Sequence, residues 1–172
     1  MRRLRRRLAA EIPNAATRAA SNLPPLSDVR VFGLYHPMGS ELDPTPIQLP
    51  GYCALPAVVD RAGQMVFRRH EAGETLTPDV MGIPAPPTSA QIVTPDVIFA
   101  PLLAFDRRGG RLGQGGGYYD RLIANLRAHG PLLVVGLAYA GQELAEVPME
   151  PHDQRLDAIL TETAFISVAR QP

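Results

Sequence analysis

The residues best suited to chemistry lie in one glycine-rich segment, Arg111–Arg121, which reads Arg-Leu-Gly-Gln-Gly-Gly-Gly-Tyr-Tyr-Asp-Arg. Glycines let backbone N–H groups turn toward an anion and approach it closely. The helix predicted to follow adds the partial positive charge of its N-terminus, and Arg111 and Arg121 add full charges. Asp120, in the first helical turn, can hold a magnesium ion. The segment therefore predicts a phosphate-binding loop, and a flexible turn capped by Asp120 is the alternative.

The loop matches neither of the two common nucleotide fingerprints. A Walker loop needs Gly-Lys-Ser/Thr, and a dinucleotide loop needs Gly-x-Gly-x-x-Gly at the start of a helix. The chain contains no Lys, so phosphate must be held by Arg, by backbone N–H groups or by a metal. The absence of Lys also excludes a Schiff-base lysine and a lysine general base.

Carboxylates on two other segments could complete such a site. Asp153, in Glu-Pro-His-Asp after a predicted strand, could pair with Asp120, because magnesium bound with a nucleotide takes hard oxygen ligands from separate loops. His152 beside it is either a ligand contact or an exposed loop residue with no role. Glu41 follows another strand end, where a lone glutamate is usually solvated.

The elements around these residues predict an α/β protein. We predict helices at residues 2–12, 14–22 and 118–128. We predict strands at Val29–Tyr35, Tyr52–Val59, Met65–Arg69, Val97–Phe105, Leu132–Ala138, Asp157–Thr161 and Phe165–Val168. Residues 70–95 look irregular, and residues 142–146 allow one helical turn. The later half alternates strand, helix and strand, which favours one domain over residues 1–172 with a central, mostly parallel sheet flanked by helices.

Composition is that of a globular protein, with 45% hydrophobic and 20% charged residues and a formal net charge of zero. Such a balance provides no overall field toward nucleic acid or membrane. Five of the first seven residues are Arg, and the rest of the chain carries 12 Arg against 17 acidic residues. This Arg-rich helical start, within residues 1–24, could attract a polyanion, RNA included, or could be a solvated helix face.

The remaining features bear on compartment and assembly. The single cysteine, Cys53, cannot form an internal disulfide, and its apolar neighbours predict a packed thiol in a reducing compartment. No apolar run approaches the roughly 20 residues of a membrane span. The Arg-rich start is not followed by an apolar signal segment. We expect a cytoplasmic monomer that binds neither nucleic acid nor membrane.

Several motifs in order along the chain carry a family resemblance. The glycine loop and its Gly-Tyr-Tyr-Asp block are the most specific part. The chain resembles the 5-formyltetrahydrofolate cyclo-ligase family in this block and in Ala104-Phe105-Asp106, Gly136-Leu137-Ala138-Tyr139 with Gln142, Pro148 to Asp157, Thr161-Glu162, Tyr35-x-Pro37-x-x-x-Glu41-x-Asp43, Leu55-Pro56 and Gly82-Ile83. The resemblance covers most of residues 29–162.

The resemblance implies an enzyme that uses ATP and Mg²⁺ to convert 5-formyltetrahydrofolate to 5,10-methenyltetrahydrofolate, releasing ADP and phosphate. It also implies a three-layer, Rossmann-like arrangement of the sheet and helices. The terminal phosphoryl group passes to the formyl oxygen, the folate N10 attacks the activated carbon, and a ring C–N bond closes. Positioning and stabilisation of phosphate charge carry such chemistry, and no protein nucleophile is required.

Matched position by position, the resemblance assigns roles to residues of this chain. Arg111 and Tyr118 are the catalytic residues. Nucleotide contacts come from Arg2, Arg3, Arg6, Arg111, Leu112, Gly113, Gln114, Gly115, Gly116, Gly117, Tyr118 and Tyr119. Folate contacts come from His36, Glu41, Gln114, Gly115, Gly116, Gly117 and Tyr118, and the magnesium ligands are Asp120 and Asp153. A carboxylate at Glu41 suits a pterin because it accepts two N–H bonds from the amino-pyrimidine edge.

Three departures from the family pattern lie in the first half. The family's N-terminal Lys–Arg pair is replaced by Arg alone, which is not equivalent to Lys as a compact charge. The segment between Asp43 and Leu55 has eleven residues, three of them Pro, where the family has a crossover helix. Ala85 stands where the family has Glu. These departures leave open a second hypothesis, a non-catalytic relative that binds folate or nucleotide without turnover.

Overall fold

The structure, a computed structural model, describes residues 1–169. Two short helices open the chain, α1 (Arg2–Glu11) and α2 (Ala15–Asn22), and a third, α3 (Tyr118–His129), follows the glycine loop. Pro13 lies between the first two helices and Pro24-Pro25 follows the second. Proline ends a helix because it lacks the N–H that a helix interior needs. All three predicted helices are therefore confirmed to within one residue at each end.

The strands occur at short intervals along the rest of the chain. They are β1 (Val31–Gly33), β2 (Tyr52–Val58), β3 (Met65–Arg69), β4 (Thr77–Pro78), β5 (Pro84–Ala85), β6 (Ile92–Val93), β7 (Val97–Pro101), β8 (Ala104–Phe105), β9 (Arg111–Leu112), β10 (Leu133–Leu137), β11 (Ala158–Leu160) and β12 (Phe165–Ser167).

Within residues 1–169, eight of these strands form one sheet in the order β12-β11-β10-β7-β1-β2-β3-β6. The five inner strands from β11 to β2 run parallel, and the antiparallel pairs lie toward the two edges. β7 lies at the centre, with Phe99 opposite Val135 of β10. The predicted mostly parallel sheet is confirmed. The carboxyl ends of β1, β7 and β10 therefore meet at one edge of the sheet, where open α/β sheets bind ligands.

Alternate residues of the inner strands face opposite sides of the sheet and build two cores. Phe99 and Val135 belong to the core under α1 and α2, where Ala15 and Ala19 are buried. Ile98 belongs to the other core, where residues of α3 pack. Buried parallel strands are covered by helices on both faces, so the arrangement has three layers, as expected.

Two local predictions differ from the structure. The apolar run Val97–Phe105 is not one strand, because it breaks after Pro101 and its last two residues pair with β9 in a separate hairpin. The side-chain amide of Gln142 donates to the carbonyl oxygens of Leu102 and Leu103 at 3.0 Å each. These bonds pair the backbone acceptors at the break. The same side chain accepts a bond from Tyr139 N, so the helical turn lies at Ala140–Gln142 rather than at residues 142–146.

Two further predictions concern single segments. Residues 70–95, predicted to be irregular, contain the short strands β4, β5 and β6. Cys53 is a free, partly buried cysteine on β2, and burial raises the pKa of its thiol to about 11. A thiol of that pKa is protonated at neutral pH, which agrees with a packing role. In the described part of the chain, no helix has the length and apolar character needed to cross a membrane.

Candidate active site

The glycine loop lies at the carboxyl edge of the sheet, between the β8–β9 hairpin and α3. Gly115 and Gly117 have φ values of +96° and +64°, a region that side chains with a Cβ rarely adopt. Gly117 is the N-cap of α3 and provides no side-chain bond to the first N–H groups of the helix. Those N–H groups are therefore available to an anion.

A short ion pair joins the two ends of the loop. Arg111 Nη2 lies 2.6 Å from Asp120 Oδ1, and only 4% and 14% of these two side chains is exposed. The same carboxylate oxygen accepts the backbone N–H of Gln154 at 3.0 Å. Asp120 therefore does not cap a flexible turn. It holds Arg111 under the loop and attaches the loop to the segment that contains Asp153.

The two predicted magnesium ligands are on neighbouring segments, because Asp120 bonds the residue that follows Asp153. Asp153 Oδ2 accepts the N–H of Glu150 at 2.7 Å, and its Oδ1 lies 3.7 Å from Nε2 of His152. Each carboxylate therefore keeps an oxygen that is free of backbone bonds. Among the described residues no group of three or more His, Cys, Asp or Glu could hold a metal ion alone. Two carboxylates fit Mg²⁺ that completes its shell with phosphate and water.

Glu41 lies in the same site and is not solvated, since its side chain is only 6% exposed. Its Oε1 accepts bonds from Arg5 Nη1 at 3.3 Å and from Gln114 Nε2 at 3.4 Å, and its Oε2 accepts the N–H of Met38 at 2.9 Å. The loop after β1 thereby presents one buried carboxylate to both α1 and the glycine loop.

Arg5 is the site residue that the sequence prediction missed. Besides Glu41, its guanidinium donates to Ser40 Oγ at 3.3 Å and to the carbonyl of Leu102 at 3.2 Å. The helical spacing of the residues in α1 could have identified Arg5 as an inward-facing residue. Arg5 begins the stripe of residues 5, 8, 9 and 12, whose other members are the apolar residues that α1 packs on the core.

The other arginines of α1 differ in whether they reach the glycine loop. Arg2, one turn before Arg5, donates from Nε to Gln114 Oε1 at 3.2 Å and so reaches the glycine loop. Arg3 and Arg6 are exposed, and within residues 1–169 neither makes a hydrogen bond or an ion pair with the loop. Of the three arginines predicted to contact nucleotide, the structure brings only Arg2 to the loop.

The two tyrosines that start α3 have different surroundings. The Tyr118 hydroxyl lies 3.6 Å from Met81 Sδ, and the guanidinium of Arg121 lies 5.2 Å from the centre of the Tyr118 ring. The Tyr119 hydroxyl is buried and has no hydrogen-bond partner. Burial and the nearby Glu41 carboxylate raise the pKa of Tyr119, against the opposing effect of Arg111, so its phenol stays protonated.

The remaining predicted residues differ in burial and contacts. His36 is partly buried beside Tyr35, whose hydroxyl donates to the carbonyl of Leu42 and fixes the loop after β1. Leu112 is 40% exposed, and its carbonyl accepts the N–H of Leu103. Gly113 lies against Arg111, since a Cβ at this glycine would approach Nη1 to 3.2 Å.

A cavity of about 620 Å³ lies away from this site, beside the residues that precede β10 and β11. Four arginines line it, but three of them are already paired with carboxylates. Arg107 pairs with Glu143, Arg108 with Glu146, and Arg127 with Asp157. The glycine loop is therefore the better candidate site, because buried polar groups from several elements converge there.

The fold and site define a three-layer α/β protein with an anion-binding loop at the carboxyl edge of its parallel strands. A model of the 5-formyltetrahydrofolate cyclo-ligase family matches residues 4–162. The chain belongs to that family, and the match includes α1 from residue 4 onward, the loop after β1, the glycine loop and both predicted metal ligands.

Individual relatives agree with this assignment. The 5-formyltetrahydrofolate cyclo-ligase of Mycolicibacterium smegmatis is 34% identical over 153 residues, which are 79% of this chain and 77% of that protein. The protein of the same name from Haemophilus influenzae is 38% identical over 100 residues, 56% of this chain and 53% of that protein. The chain thus spans about half the length of this second relative.

Two solved structures share the fold. Aquifex aeolicus 5,10-methenyltetrahydrofolate synthetase superimposes with a TM-score of 0.73 at 27% identity, covering 99% of this chain and 93% of the other. A 5,10-methenyltetrahydrofolate synthetase from Mycoplasma pneumoniae gives a TM-score of 0.66 at 20% identity, covering 94% of this chain and 98% of the other. The second likeness supports the fold alone.

Proposed function

We propose that this protein is an ATP- and Mg²⁺-dependent 5-formyltetrahydrofolate cyclo-ligase that forms 5,10-methenyltetrahydrofolate, ADP and phosphate. One observation carries the proposal. The buried Glu41 carboxylate and the glycine loop are joined through Gln114, whose amide nitrogen lies 3.4 Å from Glu41 Oε1. A group suited to a pterin and a loop suited to phosphate therefore meet in one site of a family member.

The nucleotide is held by the loop and by arginine. Backbone N–H groups of Gly113–Gly117 and the start of α3 bind phosphate oxygens, and Arg2 approaches from α1. Arg111, fixed by Asp120, supplies full positive charge below the loop. Charge that spreads over the transferred phosphoryl oxygens is stabilised by such preset donors, which need little reorganisation during the reaction.

The folate is oriented by Glu41 and by the Tyr118 side of the loop. The carboxylate accepts N–H bonds from the amino-pyrimidine edge, while the exposed side chains of Met81 and Val80 offer apolar surface near Tyr118. This orientation places the formyl oxygen toward the glycine loop. After phosphoryl transfer, N10 attacks the activated carbon and loses its proton to water as the C–N bond forms. The C–O bond then breaks, and its electron pair leaves with phosphate.

Magnesium would be held by Asp120 and Asp153. Bound there, it would neutralise phosphate charge and orient the terminal phosphoryl group for in-line transfer. The protein's own part is to keep both carboxylates on adjoining segments, which the Gln154 N–H to Asp120 bond achieves.

The test is direct. Purified protein is mixed with 5-formyltetrahydrofolate, ATP and Mg²⁺, and the methenyl product is followed by its near-ultraviolet absorbance, with ADP measured in parallel. We expect product and ADP in equal amounts, and none when Mg²⁺ is chelated. Thermal stabilisation by both ligands without product would instead support the non-catalytic relative. Salt-sensitive RNA binding that depends on residues 1–7 would support the RNA hypothesis.

A further inference from the structure

The turn between β2 and β3, residues 60–63, contacts the start of α3 from a distant part of the chain. The Gly63 N–H closes this turn on the carbonyl of Asp60 at 3.3 Å, and Gly63 is buried with a φ of +92°. A Cβ at Gly63 would clash with Arg121 Nη2 and come within 3.1 Å of Tyr118 Cε1. Glycine at this position therefore lets the turn approach α3 closely.

Arg121 connects this turn to the glycine loop. Its Nη2 lies 3.1 Å from the carbonyl oxygen of Gly116 and 3.5 Å from that of Gly63. Its guanidinium carbon lies 5.2 Å from the centre of the Tyr118 ring. Within residues 1–169 Arg121 forms no ion pair with a carboxylate. The charge that the sequence suggested for phosphate is therefore directed at two backbone carbonyls.

The bond to Gly116 fixes the orientation of one peptide group in the loop. In a trans peptide the carbonyl of Gly116 and the N–H of Gly117 point in opposite directions. Because Arg121 holds the carbonyl, the Gly117 N–H is directed away from the guanidinium. In the described part of the chain this N–H makes no hydrogen bond to the protein. A cation at the carbonyl end also polarises the peptide group and makes its N–H a stronger donor.

We propose that Arg121 and the turn of residues 60–63 hold the Gly116–Gly117 peptide in the orientation that binds phosphate before the nucleotide arrives. The inference rests on the proposed function. Arg121 is then a positioning residue, because it acts through the peptide group and does not contact phosphate. The turn between β2 and β3 thereby contributes to nucleotide affinity, since a donor that is already oriented binds without the cost of reorienting the loop.

Calorimetry with a non-hydrolysable ATP analogue and Mg²⁺ measures this effect without turnover. Arg121→Met keeps the stem of the side chain but removes the guanidinium, and we expect nucleotide affinity to fall about tenfold. The melting temperature should stay within about 2 °C of the parent, because the side chain is exposed. Arg121→Lys should lose less affinity, since an ammonium can still donate to the Gly116 carbonyl. Parent-like affinity of Arg121→Met would overturn the proposal.

The matched control is Arg61→Met, in the same turn. Arg61 is exposed, and among the described residues it makes no hydrogen bond or ion pair. Its replacement removes the same charge from the same part of the surface, so nucleotide affinity and melting temperature should remain those of the parent. A loss of affinity as large as that of Arg121→Met would show that positive charge in general attracts the nucleotide, and it would overturn the positioning role.

Gly63→Ala tests the same contact from the side of the turn. The added methyl group must displace Arg121 Nη2, so nucleotide affinity should fall as it does in Arg121→Met. In the Arg121→Met background no guanidinium is displaced, and Gly63→Ala should lower affinity by less than about twofold more. Gly73→Ala, at a φ of +91° with nothing within 4 Å of its Cβ, controls for backbone strain. Equal losses from Gly63→Ala in both backgrounds would overturn the proposal, because the effect would then not pass through Arg121.

These measurements separate failure of the positioning role from failure of the proposed function. A parent protein that binds the ATP analogue but forms no methenyl product would refute the folate reaction, and the affinities of the variants would still decide the role of Arg121. A parent that forms product while Arg121→Met binds the analogue equally well would refute the positioning role alone. Absence of nucleotide binding to the parent would refute both.

Discussion

Arg5 Nη1 of α1 lies 3.3 Å from Oε1 of Glu41, and both side chains are almost completely buried. This pair joins the first helix of the chain to the loop after β1, and the bond from Arg5 to the Leu102 carbonyl extends the connection to the end of β7. A basic residue from the Arg-rich start is therefore part of the site's interior, while Arg3 and Arg6 remain on its surface.

Removing one partner of this pair should destabilise the protein. Arg5→Ala leaves the Glu41 charge buried with weaker partners, and we expect a loss of roughly 3–5 kcal/mol in the free energy of unfolding, measured with urea. The matched surface variant Arg3→Ala should change it by less than about 0.5 kcal/mol.

A double variant shows how much of the lost unfolding free energy comes from the unpaired Glu41 charge and how much from the other contacts of Arg5. Arg5→Met combined with Glu41→Gln removes both charges, so its stability should recover to within about 1–2 kcal/mol of the parent. A double variant as unstable as Arg5→Ala would show that the pair itself, rather than the abandoned carboxylate, carries the stability.

The fold and the loop could be predicted because their signals are local. Buried strands such as β7 and β10 are short continuous apolar runs, and clustered glycines mark the turn that precedes α3. Asp153 was paired with Asp120 because magnesium bound with a nucleotide takes hard oxygen ligands from separate segments. The Gln154 bond to Asp120 shows that the two segments are adjacent.

What could not be predicted depends on contacts between distant segments. Arg5 meets Glu41 across 36 residues, and nothing near Arg5 in the sequence separates it from the four arginines around it except its alignment with Leu8 and Ile12. The break after Pro101 is likewise stabilised by Gln142, some 40 residues away. The hydropathy pattern alone predicts that the strand continues through that point.

Gly115 and Gly73 offer a matched pair for the glycine loop. Their φ values are +96° and +91°, and a Cβ at either would meet nothing within 4 Å. Gly115→Ala and Gly73→Ala should therefore cost similar stability, about 1–2 kcal/mol each, from backbone strain alone. Only Gly115→Ala should weaken nucleotide binding, by tenfold or more in calorimetry, because its backbone must approach phosphate. Equal affinities in the two variants would remove Gly115 from the phosphate site.

Asp120→Asn tests the proposed metal site together with the Arg111 pair. The amide keeps the shape of the side chain but loses the charge that holds Arg111 and that we propose binds Mg²⁺. We expect the enhancement of ATP affinity by Mg²⁺ to fall about 10- to 100-fold, while affinity in chelator changes much less. Asp28→Asn, at the surface beside Ser27, should behave as the parent. An unchanged Mg²⁺ effect in Asp120→Asn would exclude this carboxylate as a ligand.

Asp106 should make the stability of the hairpin beside the glycine loop depend on pH. Burial disfavours its charge, but the N–H groups of Val147, Gly110 and Arg108 donate to the carboxylate and, with the Arg108 charge, hold its pKa below the usual range. Because the folded-state pKa is lowered, the stabilisation is fully present above the unfolded value of about 3.9 and is lost as pH falls through the folded value.

Asp106→Asn isolates that contribution. At pH 7 the variant should be less stable by roughly 2–3 kcal/mol, because an amide cannot accept all three N–H bonds. Urea unfolding between pH 7 and pH 2.5 should show the gap between parent and variant constant down to about pH 5 and narrowing below it, since only the parent gains a proton at this site on unfolding. The surface variant Glu11→Gln, at a side chain 59% exposed, should show little gap at pH 7. A gap for Asp106→Asn that stays constant to pH 2.5 would mean that the carboxylate stabilises the hairpin by shape rather than by its charge.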